Sequence, residues 1–141
     1  MADLGYSTAK GYDRLGVGVF PFSDGPAVAG KVIKAGGKEY AYGLFAHAPY
    51  EITYDLWNKY SVLKTTLVMA NNSDYVSNSA LFRVLVDGKE VFLSDLLTPD
   101  QSPLEVEIQL SGSQLTLETL PGPNDDNGCD WTVWGDPVLI P

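Results

Sequence analysis

The sequence predicts an all-β fold, an antiparallel β-sandwich of jelly-roll type with about eight strands. Three observations carry this. Apolar and polar residues alternate along several short runs, which is the period of a strand with one buried face. No run of ten residues places apolar side chains at the i, i+3, i+4, i+7 spacing of an amphipathic helix. Fourteen glycines and nine prolines punctuate the chain. Parallel pairing would need crossovers of about a dozen residues, and no helix lies between the runs to supply them.

The elements follow in chain order. Residues 1–15 show no period and are read as a loose N-terminal arm. "YEITYDL" turns Tyr50, Ile52, Tyr54 and Leu56 to one face and Glu51, Thr53 and Asp55 to the other. "SVLKTTLVMA" (61–70) is a strand with β-branched residues. "ALFRVLV" (80–86) runs into Asp87-Gly88, a type I′ hairpin signal, and "KEVFLSDL" returns from it. "LEVEIQL" points Leu104, Val106, Ile108 and Leu110 inward. "SGS" (111–113) then leads into "QLTLETL" with Leu115 and Leu117 inward, and this pair reads as a hairpin. With no internal repeat and no low-complexity linker, residues 1–141 are expected to form one domain.

Composition excludes several functions. The net charge is −9, from eighteen acids against nine bases, with no Lys/Arg cluster. Nucleic-acid binding needs a basic footprint, and an anionic membrane surface needs the same. Neither partner is expected, and a neutral ligand or a cation fits better. Cys129 is the only cysteine and His47 the only histidine, which rules out an internal disulfide and a Cys/His zinc site. No apolar run has transmembrane length. The first thirty residues lack a basic start followed by an apolar run, so no signal peptide is expected. A module excised from a secreted parent would still be extracellular.

The chemistry-bearing residues gather in two stretches. In "GLFAHAP" (43–49), His47 stands between two alanines. It is either a core histidine satisfied by a backbone carbonyl or a hydrogen-bond donor at the mouth of a pocket. No Gly-x-Ser-x-Gly or comparable nucleophile signal accompanies it. "NDDNGCDWTVWGDP" (124–137) is a polar turn-forming loop that runs into an aromatic strand. Its acids suit calcium, a hard ion, with Asp125, Asp126 and Asp136 as candidates, although the EF-hand pattern fails because Pro123 stands where an Asp is needed. Trp131 and Trp134 are three apart, so a strand sends them to opposite faces. Trp134, followed by "PVLI", is read as core. Trp131, just after the polar loop, is read as an exposed platform. An exposed indole beside Asp130 suits a pyranose, whose C–H face packs on the ring and whose hydroxyls need paired donors and acceptors.

Three segments together resemble the carbohydrate-binding module family NPCBM. They are Gly43, Leu44, His47 and Ala48 leading into a strand; Val84 with Asp87, Gly88 and Lys89 in a hairpin; and Asp130, Trp134 and Asp136 near the end. The resemblance covers roughly residues 40–140 and is carried by three ordered motifs. It implies a β-sandwich that binds sugars without cleaving them, in particular galactose-containing glycans. It also implies attachment to a glycoside hydrolase and a structural calcium of the kind related sandwiches carry.

The leading expectation is therefore non-catalytic glycan binding at a site shaped by His47, Asp130 and Trp131, with Tyr50 and Asn124 at its rim. One alternative is a structural sandwich that packs against a glycoside hydrolase domain or self-associates as a homo-oligomer, which would show a broad apolar patch. The other is a small glycosidase using two carboxylates, for which Asp130 and Asp136 are the available pair.

Overall fold

The computed structural model describes residues 5–21, 23, 28–70, 79–122 and 131–141, with the side chains of residues 12–14 outside the description. Ten strands are described: β1 (Thr8–Val17), β2 (Ile33–Ala35), β3 (Lys38–Tyr40), β4 (Leu44–Asp55), β5 (Val62–Met69), β6 (Ala80–Val86), β7 (Lys89–Leu93), β8 (Leu104–Gln109), β9 (Gln114–Pro121) and β10 (Trp131–Ile140). No helix occurs among the described residues. Eight strands join in one antiparallel sheet in the order β7-β6-β9-β4-β10-β5-β8, with β1 added along β4. β2 and β3 form a separate hairpin.

The long strand β4 turns this sheet into a sandwich. Its first part, Leu44 to His47, pairs with Trp134 to Trp131 of β10. Its second part, Tyr50 to Asp55, pairs with Thr119 to Gln114 of β9. The partner changes across Ala48-Pro49, a cis peptide, and Pro49 has no N–H to give a ladder. On either side of that junction the sheet folds over on itself, and β7 and β8 at its two ends come into contact.

The core between the two halves is the one the alternation predicts. Tyr50, Ile52, Tyr54 and Leu56 are all buried in it. Leu115 and Leu117 join from β9, Phe82 and Val84 from β6, and Leu63, Leu67 and Met69 from β5. Phe82 meets Trp134 edge-to-face at 5.1 Å across the interior, a preferred aromatic geometry. Asp87 and Gly88 have φ of 51° and 80°, as the type I′ turn between β6 and β7 requires.

Three expectations are corrected. Residues 8–15 are not a loose arm, because β1 pairs with β4 from Thr8↔Thr53 to Val17↔Leu44. Register shifts at Gly11/Tyr12 and Tyr12/Gly16 interrupt it, and each bulge resets the side-chain alternation that would have marked a strand. The segments around "SGS" are not a hairpin. β8 pairs with β5 and β9 pairs with β4 and β6, so residues 111–113 cross from one half of the sandwich to the other. Turn chemistry is the same for both kinds of connection. Leu104 is not inward but exposed, as β8 is an edge strand with only β5 beside it.

A second, smaller core lies on the outer face of β10. Phe20, Ile33, Ala35 and Tyr40 cover Phe45, Val68, Trp131 and Val133 there. The β2–β3 hairpin and the segment before it therefore act as a lid over one sheet face, and β10 is buried on both sides.

Candidate functional site

Two pairs of described residues flank the segments 71–78 and 123–130. The Ala70 N–H donates to the Trp131 carbonyl at 2.7 Å, and the Gly122 N–H donates to the Ser79 carbonyl at 3.0 Å. Trp131 is the register partner of His47, Ala80 that of Pro121, and Thr119 that of Tyr50. Four strand termini thus converge at one end of the sandwich beside residues 47–50 of β4. Asn124, Asp125, Asp126 and Asp130 lie outside the described residues.

His47 is 5% exposed. Its Nδ1–H donates to the Ala48 carbonyl at 2.8 Å, since a carbonyl can only accept. A bond to a backbone carbonyl is the feature that the first of the two readings calls for. Trp131, its neighbour across the ladder, is only 4% exposed. Its indole meets Phe45 edge-to-face at 6.1 Å. The expected exposed platform is therefore corrected. The two tryptophans do face opposite ways: Trp131 lies in the outer cluster with Phe45 and Val133, while Trp134 fills the main core at 1% exposure.

Tyr50 does not share a face with His47. It sits in the main core with Ala46 and Ile52, and its ring edge borders a shallow hollow formed with Lys10, Gly11, Pro49, Glu51 and Glu118. Gly11 is required there: a Cβ would lie 2.6 Å from the Tyr50 Cα and 2.7 Å from its ring. Burial pushes the Tyr50 hydroxyl pKa up, with Tyr6 adding to the shift.

Asp136 serves the fold. It occupies a bulge between Gly135 and Val138 with φ of 40°, a costly conformation for a residue other than glycine. Its Oδ1 accepts from the Tyr42 N–H at 2.9 Å, and Thr65 Oγ1 donates to the Gly135 carbonyl at 3.0 Å. Gly135 has no alternative, because a Cβ would stand 2.6 Å from the Tyr40 ring. The "WGDP" run therefore anchors β3 and the following turn onto β10. Asp136 borders a groove of about 490 Å³ with Lys38, Tyr40, Lys64, Glu105 and Glu107. The Tyr40 hydroxyl is buried there without a hydrogen-bond partner among the described residues. Burial first, then the Asp136 and Glu105 carboxylates, push its pKa up.

A calcium site is not formed by the described residues, among which no three His, Cys, Asp or Glu side chains gather. Asp136 Oδ1 accepts from the Tyr42 N–H, and Asp125 and Asp126 lie outside the described residues.

The sequence reasoning passed over one feature. Trp57 is 67% exposed in a hollow of about 380 Å³ formed with Asp55, Asn58, Asp87, Ser113 and Gln114. A signal was available: the inward series Tyr50, Ile52, Tyr54, Leu56 ends immediately before it, and Asn58 follows in a turn position.

Comparison with known proteins places the fold. A family model described as the NPCBM/NEW2 domain matches residues 5–140, which extends the resemblance across β1, β2 and β3. The CBM51 of a Clostridium perfringens GH95, solved with methyl-galactose, is 25% identical, with a TM-score of 0.75 over 99% of this chain and 97% of that one. The tandem CBM51 modules of a Streptococcus pneumoniae family 98 glycoside hydrolase are 22% identical, with a TM-score of 0.79 over 99% of this chain and 46% of that one. A Renibacterium salmoninarum protein named "Putative endo-alpha-N-acetylgalactosaminidase" is 25% identical over 111 residues, or 79% of this chain. This chain spans 7% of that protein's length.

Proposed function

Since the chain belongs to the NPCBM/NEW2 family, we propose that it is a non-catalytic glycan-binding module that takes galactose-containing glycans and serves a glycoside hydrolase. The observation that carries this reading is the end-to-end match to a module solved with methyl-galactose, which leaves neither chain with a substantial unmatched part. The converging strand ends around His47 and Trp131 are the proposed site. Both side chains are buried, so they act from beneath. Trp131 fixes the start of β10, and the Nδ1–H bond to Ala48 sets the orientation of the imidazole. Direct sugar contacts fall to Asn124 and Asp130. A carboxylate accepting from sugar hydroxyls gives specificity, because a ligand without those hydroxyls leaves it desolvated and unpaired.

The length of the Renibacterium relative supports a parent enzyme in which such a module is a small part. A module holds its parent near the substrate and raises the effective concentration. Screening the 141-residue chain on a glycan array, followed by calorimetry with methyl galactoside, tests the proposal. Binding to galactose-terminated glycans without turnover of aryl glycosides is expected. An array blank for every glycan sinks the reading, and turnover of an aryl glycoside would restore the glycosidase. For calcium, an unchanged melting temperature after EDTA removes the expectation, because an ion bound only by the folded state must stabilise it.

A further inference from the structure

We infer that Trp57 is the stacking platform of a second pyranose-binding site, at the end of the sandwich opposite the strand ends around His47 and Trp131; the inference rests on the glycan-binding reading above. Trp57 and Asn58 have φ of 56° and 53°, and the Lys59 N–H donates to the Leu56 carbonyl at 3.0 Å. That is a type I′ turn with left-handed residues at both central positions. Such turns favour asparagine, aspartate and glycine. A tryptophan there is strained, and its indole gains no burial in return. Strain and exposed apolar area that give the fold nothing are the pattern of a functional position.

The surroundings name the ligand class. Asp55 and Gln114 are register partners on β4 and β9, and with Asn58 they border the hollow beside the indole. None of these three side chains has a hydrogen-bond partner among the described residues. Two carboxamides that both donate and accept, and one carboxylate that accepts, match the vicinal hydroxyls of a sugar. The far wall is rigid. Asp87 accepts from Ser113 N–H at 3.2 Å, Ser113 Oγ–H at 3.0 Å and Gln114 N–H at 3.0 Å. Gly112 allows this, as a Cβ there would lie 2.4 Å from Asp87 Oδ2. The three bonds all fall on Oδ1 and fix the orientation of the carboxylate, and one indole is no aromatic cage for a quaternary ammonium, so a sugar is the ligand favoured here. The hollow, at about 380 Å³, falls in the size range of small-ligand clefts, which begins near ~300 Å³.

The three indole N–H signals of the ¹⁵N-labelled chain read this site directly, with Trp57 identified by its loss in Trp57→Phe. Methyl galactoside, methyl glucoside, methyl mannoside and N-acetylglucosamine are titrated in turn. At least one should move the Trp57 indole and the Asn58 and Gln114 carboxamide signals together in a saturable way. Trp57→Ala should weaken that binding about tenfold, the loss of one stacking contact, and Trp57→Phe should recover part of it. A stationary Trp57 indole with all four sugars overturns the second site. If signals near His47 and Trp131 still move, the glycan-binding reading stands without it. If no signal moves anywhere and the array is blank, both fall.

Discussion

The two ends of the sandwich treat tryptophan in opposite ways. At one end Trp131 begins a central strand, pairs in register with His47 and is buried in the outer cluster against Phe45. At the other end Trp57 stands on a strained turn with two-thirds of its surface in water. The neighbouring sequence suggests the reverse, because Trp131 follows a polar loop whereas Trp57 follows the apolar series of a core strand. What separates them is coverage. A strand side chain is buried only if something lies over its face, and the outer cluster that holds Trp131 draws its members from segments far apart in the chain.

The comparison breaks most visibly through stability. Trp134→Ala should cost roughly 3–5 kcal/mol by opening a cavity in the main core, read from urea unfolding. Trp131→Ala should cost about 3 kcal/mol, the low end of the same range, because the outer cluster is small and can partly collapse. If Trp131→Ala melts like wild type, the indole is not held in the outer cluster and the exposed platform returns. Gly135→Ala should cost roughly 1–3 kcal/mol, since its Cβ would overpack the Tyr40 ring. Trp57→Gly should have the smallest effect and the opposite sign, a gain of up to about 1 kcal/mol from relief of the left-handed turn. Destabilisation by Trp57→Gly would mean that the indole supports the fold, which contradicts its exposure.

Most of the sandwich was legible because alternation survives wherever a strand is paired regularly and half-buried. β4 and β9 meet that condition, and their inward residues were read correctly. β1 was not legible, since its bulges break the period. β8 was read on the wrong neighbour because "SGS" serves a hairpin and a crossover equally well. At the site, the spacing of Trp131 and Trp134 correctly gave opposite faces, yet spacing carries no information about a lid. Tyr50 was placed at a rim with His47, but three residues along a strand reverse the face, and that rule applied to this pair as much as to the tryptophans. Asn124 and Asp130 stand on sequence alone.

The last prediction concerns the rigid wall beside Trp57. Hydrogen bonds from the Ser113 hydroxyl and backbone amide, with that of Gln114, hold the Asp87 carboxyl pKa below its ordinary value. Desolvation opposes them without reversing the shift. A carboxylate whose folded pKa is depressed adds stability that is present above the unfolded value of about 3.9 and disappears as pH falls through the folded value. Loss of Asp87 charge should therefore release Ser113 and Gln114 in acid. A ¹³C carboxyl titration should place the Asp87 midpoint below that of an unpaired aspartate. Asp87→Asn tolerates the left-handed backbone and should flatten this part of the acid-side decline in stability. It should also loosen the far wall of the hollow, so that any sugar moving the Trp57 indole binds more weakly to the variant at neutral pH. A normal Asp87 midpoint would mean that the bonds to residues 113 and 114 do not persist in solution, and the hollow would then lack the fixed wall that distinguishes it from an ordinary turn.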